Sequence, residues 1–137
     1  VGVIEGYRYS REKSLLDSCL KAAHGICGAI DSDGRLSGRL DRTWRPAARW
    51  VCLTGSSQIA ICLLLLHLET GDRLLLDAAL RLNRFVRSTV HCTGPEDLRG
   101  GIKGSFPVNG DYSPFELPNW ACKFTVDAAA LELQVTS

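Results

Sequence analysis

Asp41, Asp111 and Glu116 fall in two long connections punctuated by glycine and proline, and Trp44, Tyr112, Asn119 and Trp120 lie in or at the edge of the same connections. Two carboxyls facing one cleft are what general acid–base cleavage of a glycosidic bond requires, so Asp41, Asp111 and Glu116 are the candidate catalytic groups, with Tyr112 as an auxiliary donor. Aromatic rings cover the apolar C–H face of a pyranose while polar groups take its hydroxyls; Trp44, Trp120 and Asn119 are the candidates here. Arg42 and Lys103 are placed to meet a carboxylate or phosphate on such a ligand. Blander uses stay open for each: carboxylates paired with nearby arginines, tryptophans packed at helix starts, cations simply solvated.

Other chemistry has less support. His91 opens the second connection and is the one histidine placed to act as a base, whereas His67 lies near the far end of a helix and reads as a hydrogen-bonded core histidine. Lys123 and Asp127 stand one helical turn apart and read as an internal ion pair. Gly100-Gly101-Ile102-Lys103-Gly104-Ser105 is glycine-rich but lacks the spacing and preceding strand of a phosphate loop. The cysteine and histidine spacings match no zinc site, and neither a metal nor a cofactor is expected.

These residues need helices to hold them. The spacing predicts a first helix over about Arg11 to Ile30, capped by Ser10, with Leu15, Leu16, Cys19, Ala23, Ile26 and Cys27 on one stripe. A second helix from about Thr54 is apolar on every side and must be surrounded by others. It ends at Thr70-Gly71-Asp72, where Gly71 suits a left-handed cap and Asp72 caps a third, one-sided helix to Val90. So short a turn makes the two antiparallel neighbours. Asn119 is expected to cap a fourth helix, Trp120 to about Gln134. The connections between them, Asp31–Leu53 and His91–Pro118, are long enough to be functional, and in the first Trp44 and Trp50 argue against disorder.

The totals narrow the class. A chain of 137 residues, 45% hydrophobic, is one domain with a real core, and a net charge of +1 argues against nucleic-acid or anionic-membrane partners held by bulk electrostatics. The unbroken apolar run Ile59–Leu66 is far below the roughly 20 residues a bilayer needs, so no membrane span is expected. Of the six cysteines, four fall within expected helices among aliphatic neighbours, and the set reads as reduced thiols of a cytoplasmic protein. With Val1 first, no methionine and no apolar leader near Tyr7–Lys13, the chain reads as a processed or truncated piece of something longer.

Leu15-Leu16-Asp17-Ser18-Cys19-Leu20-Lys21 recurs as Leu75-Leu76-Asp77-Ala78-Ala79-Leu80-Arg81, each copy followed by a long loop and an apolar helix. A unit that cannot bury its own apolar face stacks on neighbours. Arg49–Ala60, Thr70-Gly71-Asp72, Gly100–Pro107 and Asn119–Phe124 resemble the helical hairpins of (α/α) toroid proteins, the superfamily of six-hairpin glycosidases, sugar epimerases of the same fold and terpenoid-cyclase-like toroids. The resemblance implies an all-α partial toroid with both loops on one face, acting as a hydrolase, lyase or epimerase on a carbohydrate. Self-association, or the missing remainder of the toroid, is then a further partner. A plain four-helix bundle, and a non-catalytic repeat module that binds its ligand through the loop face, are the alternatives. A terpenoid-type cavity fits less well, because the aromatics here sit in polar loops rather than on helices.

Overall fold

The computed structural model describes residues 1–137 and is all-α, with five helices and one two-stranded sheet. In place of a single first helix there are two, α1 (Gly2–Ser10) and α2 (Lys13–Ala29). Arg11 breaks them apart: it sits in the left-handed region at φ 59°, and its N–H closes α1 on the Tyr7 carbonyl at 2.7 Å. Ser10, expected as an N-cap, donates back to the Gly6 carbonyl at 2.8 Å and so belongs to the end of α1; Glu12 holds the cap position of α2. Two glycines and a single buried residue, Ile4, leave α1 with little helical signal of its own.

The apolar helix is α3 (Leu53–Thr70), followed by α4 (Arg73–Ser88). Gly71 takes φ 73°, and Asp72 Oδ1 accepts the Leu74 N–H at 2.9 Å, so the expected hairpin turn is present with both of its devices. The cap of α3 is a surprise: Cys52 Sγ accepts the Gly55 N–H at 3.2 Å, a role usually taken by an oxygen. α5 (Asn119–Thr136) starts one residue earlier than expected, with Pro118 at the cap and Asn119 as its first helical residue.

α3 packs chiefly on α4 and α5, while α1 and α2 lie together and cover the remaining flank. Leu53, Ala60, Leu64, Leu75, Leu82 and Ala128 are essentially inaccessible. α3 is long and apolar enough to cross a bilayer by length and composition, with mean hydropathy 1.2, and half of it is buried inside the fold. Ser57 Oγ joins α3 to α5 through Thr125 Oγ1 at 3.0 Å. A polar clamp joins α4 to α5: Arg87 meets Glu132 through two contacts of 2.9 and 3.0 Å, and the buried Asn83 donates to Glu132 Oε2 at 2.7 Å. Burial would raise the Glu132 pKa, but the hydrogen bonds from Arg87 and Asn83 and the Arg87 charge outweigh it and leave it lowered.

α5 is less enclosed than its apolar sequence implies, since Val126 and Leu133 are about two-thirds exposed, at 66% and 67%. Lys123 and Asp127 do pair, at 2.5 Å, but on the solvent side rather than in the interior.

The two long connections meet at the N-terminal end of α3. β1 (Val51–Cys52) pairs antiparallel with β2 (Ser105–Phe106), and Ser37 bridges to Val51 on the other side. Strands of two residues carry no readable alternation, which is why this small sheet leaves no mark on the sequence pattern.

Candidate functional site

The first connection repeats one turn. Asp31 Oδ1 accepts the N–H groups of Asp33 and Arg35 at 3.0 and 2.8 Å, and Asp41 Oδ1 accepts those of Thr43 and Arg45 at 2.7 and 3.0 Å. In both, the residue three beyond the aspartate is left-handed: Gly34 at φ 85° and Trp44 at φ 64°. Glycine is required in the first, because a Cβ there would fall 2.1 Å from the Arg81 carbonyl oxygen. Trp44 occupies the matching position at the cost of backbone strain, of order 1–2 kcal/mol. That strain lays its indole across Gly25 of α2, where a Cβ would come within 2.4 Å of the ring.

This bears directly on Asp41 as a catalytic acid. Its carboxylate is also hydrogen-bonded by the Thr43 hydroxyl at 2.7 Å, and that bond, with the two backbone donors, lowers its pKa. A general acid needs the opposite shift. Asp41 builds its own loop, and Arg42 stands exposed on the turn it makes.

Asp111 and Glu116 are not brought to one cleft. Asp111 is exposed and faces Arg39 of the first connection at 3.6 Å. Glu116 lines a different cavity of about 190 Å³, with His91, Lys103, Phe115 and Leu117. Lys103 donates its Nζ to the Thr89 carbonyl at 3.0 Å and so holds the C-terminal end of α4, where a cation is favoured. Tyr112 and Trp120 are brought together, Trp120 Nε1 donating to the Tyr112 hydroxyl at 2.9 Å, and Asn119 lies beside Trp120 along a shallow depression with Lys123 and Phe124. Trp120 remains 48% exposed.

A cleft of about 220 Å³ opens where the two connections meet, with Asp31, Arg35, Arg49, Trp50, Phe106 and Pro107 in its wall. Trp50 is fixed from several sides: a Cβ on Gly38 would lie 2.2 Å from its ring, one on Gly110 would lie 2.8 Å from its Cβ, and the Arg39 guanidinium sits 5.8 Å from its centroid. Arg35 stacks over Phe85 at 5.4 Å and Phe106 at 5.5 Å, and those two rings meet edge to face at 5.6 Å. Arg49 is exposed at the same cleft. The one carboxylate here, Asp31, has an oxygen committed to its turn, so the wall combines two guanidinium groups with an aromatic surface. The first connection carries five arginines, Arg35, Arg39, Arg42, Arg45 and Arg49, and which of them reach the cleft depends on contacts with the second connection.

No family model, curated protein or solved structure matches this chain.

Proposed function

We propose that the chain is a helical-hairpin module of the (α/α) toroid type that binds an acidic carbohydrate through the face where its long loops gather. The observation that carries this reading is the cleft holding Arg35 and Arg49 beside Trp50 and Phe106. Ring faces suit the apolar side of a sugar, and planar guanidinium forks suit its carboxylate. Binding is favoured over hydrolysis, because Asp41 is committed to its loop while Asp111 and Glu116 belong to different surroundings. Glycoside cleavage requires two carboxyls about 5–9.5 Å apart across the bond.

The experiment is a calorimetric titration of the chain with a uronic-acid oligosaccharide and with its neutral counterpart. The uronate is expected to bind and the neutral sugar to bind much more weakly. Arg49→Gln is expected to reduce uronate affinity about tenfold, in line with a lost charge-assisted hydrogen bond. Equal binding of both sugars, or indifference to Arg49→Gln, would sink the reading.

A second reading has its own observation, the shared cavity of His91, Lys103 and Glu116. A histidine and a carboxylate at one small site are the equipment of proton transfer at carbon, the chemistry of a sugar epimerase. Incubation of candidate sugars with the protein in D₂O, followed by proton NMR, tests it: deuterium incorporation lost in His91→Asn supports it, and no incorporation removes it.

Association with further hairpins, in a second copy or in more chain, belongs to the same proposal. The exposed Val126 and Leu133 on α5 are where a next hairpin would pack. The cytoplasm remains the proposed compartment, and the reading rests on all six cysteines being free thiols.

A further inference from the structure

Trp120 is open to solvent and yet held in place. It is 48% exposed, while its Nε1 donates to the Tyr112 hydroxyl at 2.9 Å. Tyr112 is itself anchored, because its N–H donates to Ser105 Oγ at 3.2 Å, its carbonyl accepts from the same hydroxyl at 2.7 Å, and Ser105 is wholly buried in β2. Tryptophan hides most of its surface in folded chains, and one held rigid at the surface meets a ligand at little cost in side-chain entropy.

The neighbours of Trp120 along α5 form two short rows. Residues four apart share a helix face, so Trp120 and Phe124 make an aromatic row and Asn119 and Lys123 a polar row beside it, along a depression of about 410 Å³. Lys123 is steadied by the Phe124 ring, whose centroid lies 4.5 Å from its Nζ, and by its pair with Asp127. The Asn119 carboxamide offers donors and an acceptor.

A pyranose has the matching build, an apolar C–H face for the ring and hydroxyls along its edge that both donate and accept. Since Asp127 already balances Lys123, the depression is suited to hydroxyls rather than to a charge.

This depression adjoins the sugar cleft through three successive residues. A Cβ on Gly110 would lie 2.8 Å from the Cβ of Trp50 in the cleft wall, Asp111 faces Arg39 at 3.6 Å, and Tyr112 holds Trp120. From Gly110 to Tyr112 is at most about 7 Å of backbone. Trp50 and Trp120 therefore flank one short stretch of the second connection.

Resting on the acidic-carbohydrate reading above, we infer that the ligand is a chain of sugar residues, with a uronate in the cleft and a further residue stacked on Trp120, its hydroxyls taken by Asn119 and the Lys123–Asp127 pair. The further residue can be neutral. Once a chain is long enough to reach both places, its second contact is made within the complex, and affinity rises without any new site.

The test is an NMR titration of the whole chain with a uronic-acid monosaccharide and with its oligomers up to the octasaccharide. Affinity is expected to rise at least about tenfold over the series, with the Trp50 and Trp120 indoles moving together at one affinity for the longest oligomer. Trp120→Ala should abolish the rise. Trp120→Phe, which keeps a ring and loses only the bond to Tyr112, should retain most of it and stays informative if Trp120→Ala loosens the loop. Arg49→Gln should weaken every length. Equal affinity at all lengths, a rise that survives Trp120→Ala, or one lost as fully in Trp120→Phe would overturn the inference and leave the cleft reading standing. Failure of every uronate to bind would overturn both.

Discussion

At the turn end of the α3–α4 hairpin, Asp72 caps α4 through Oδ1, meets His24 Nε2 through Oδ2 at 2.8 Å and receives His67 Nδ1 on its carbonyl at 2.8 Å. Beside it, Glu69 is held by both Arg8 and Arg11 at 3.2 Å. At the loop end, the Thr54 and Ser56 hydroxyls have no partner, Arg49 is exposed, and the Trp44 and Trp120 indoles remain 40% and 48% exposed. Polar groups at the first end are consumed in closing the fold, whereas at the second the loops leave Arg49 and part of the Trp44 indole facing solvent. That division is the usual one between a scaffold and the loops that carry its binding chemistry.

The largest expected effect lies in the scaffold. Leu64→Ala, at a fully buried position of α3, should cost about 2–5 kcal/mol in urea unfolding, whereas Leu68→Ala, 56% exposed on the same helix, should fall within about 0.5 kcal/mol of the parent. Next come the loops. Gly34→Ala drives a Cβ against the Arg81 carbonyl and should cost about 1–3 kcal/mol beyond the penalty for its positive φ, while Gly94→Ala, at φ 107° with open space around it, should show the φ penalty alone. A Gly34→Ala protein as stable as Gly94→Ala would mean that the first loop is looser than described.

Asn83→Ala removes donors from the Ala128 carbonyl and from Glu132, and should cost about 1–3 kcal/mol. The same clamp sets a pH dependence. Glu132 and Asp72 have pKa values lowered in the folded state, so their contribution is present above the ordinary carboxylate range and is lost as pH falls through the folded values. Unfolding measured from pH 7 down to pH 3 should therefore show declining stability, and Glu132→Gln should be less stable at pH 7 yet show a shallower decline. An unchanged slope in Glu132→Gln would remove the clamp from the account.

How far the sequence carried this reading depended on the range of the interactions involved. The apolar period of α3 and α4, and the Gly71-Asp72 turn between them, are local signals, and the hairpin was legible from them. α1 was not, because its glycines and single buried residue leave no stripe, and the Cys52 cap was not, because a thiol is rarely read as a cap. Among the candidate site residues, Trp120 and Tyr112 do meet, but Asp41 and Lys103 were picked for charge alone, and charge does not reveal that one closes its own turn and the other holds the end of α4. The matched turns at Asp31 and Asp41 went unread, although each aspartate is followed four residues later by an arginine. That the second would set a tryptophan against Gly25 required a contact with α2 that no local pattern encodes.

The most direct test of the division between the two ends is an amide and indole NMR titration of the chain with the uronic-acid oligosaccharide. Shifts confined to the loop end, at Arg35, Arg49, Trp50 and Phe106, with Thr70–Asp72 unmoved and the response lost in Arg49→Gln, are the predicted result. Shifts spread over the turn end, or none anywhere on the protein, would contradict the account.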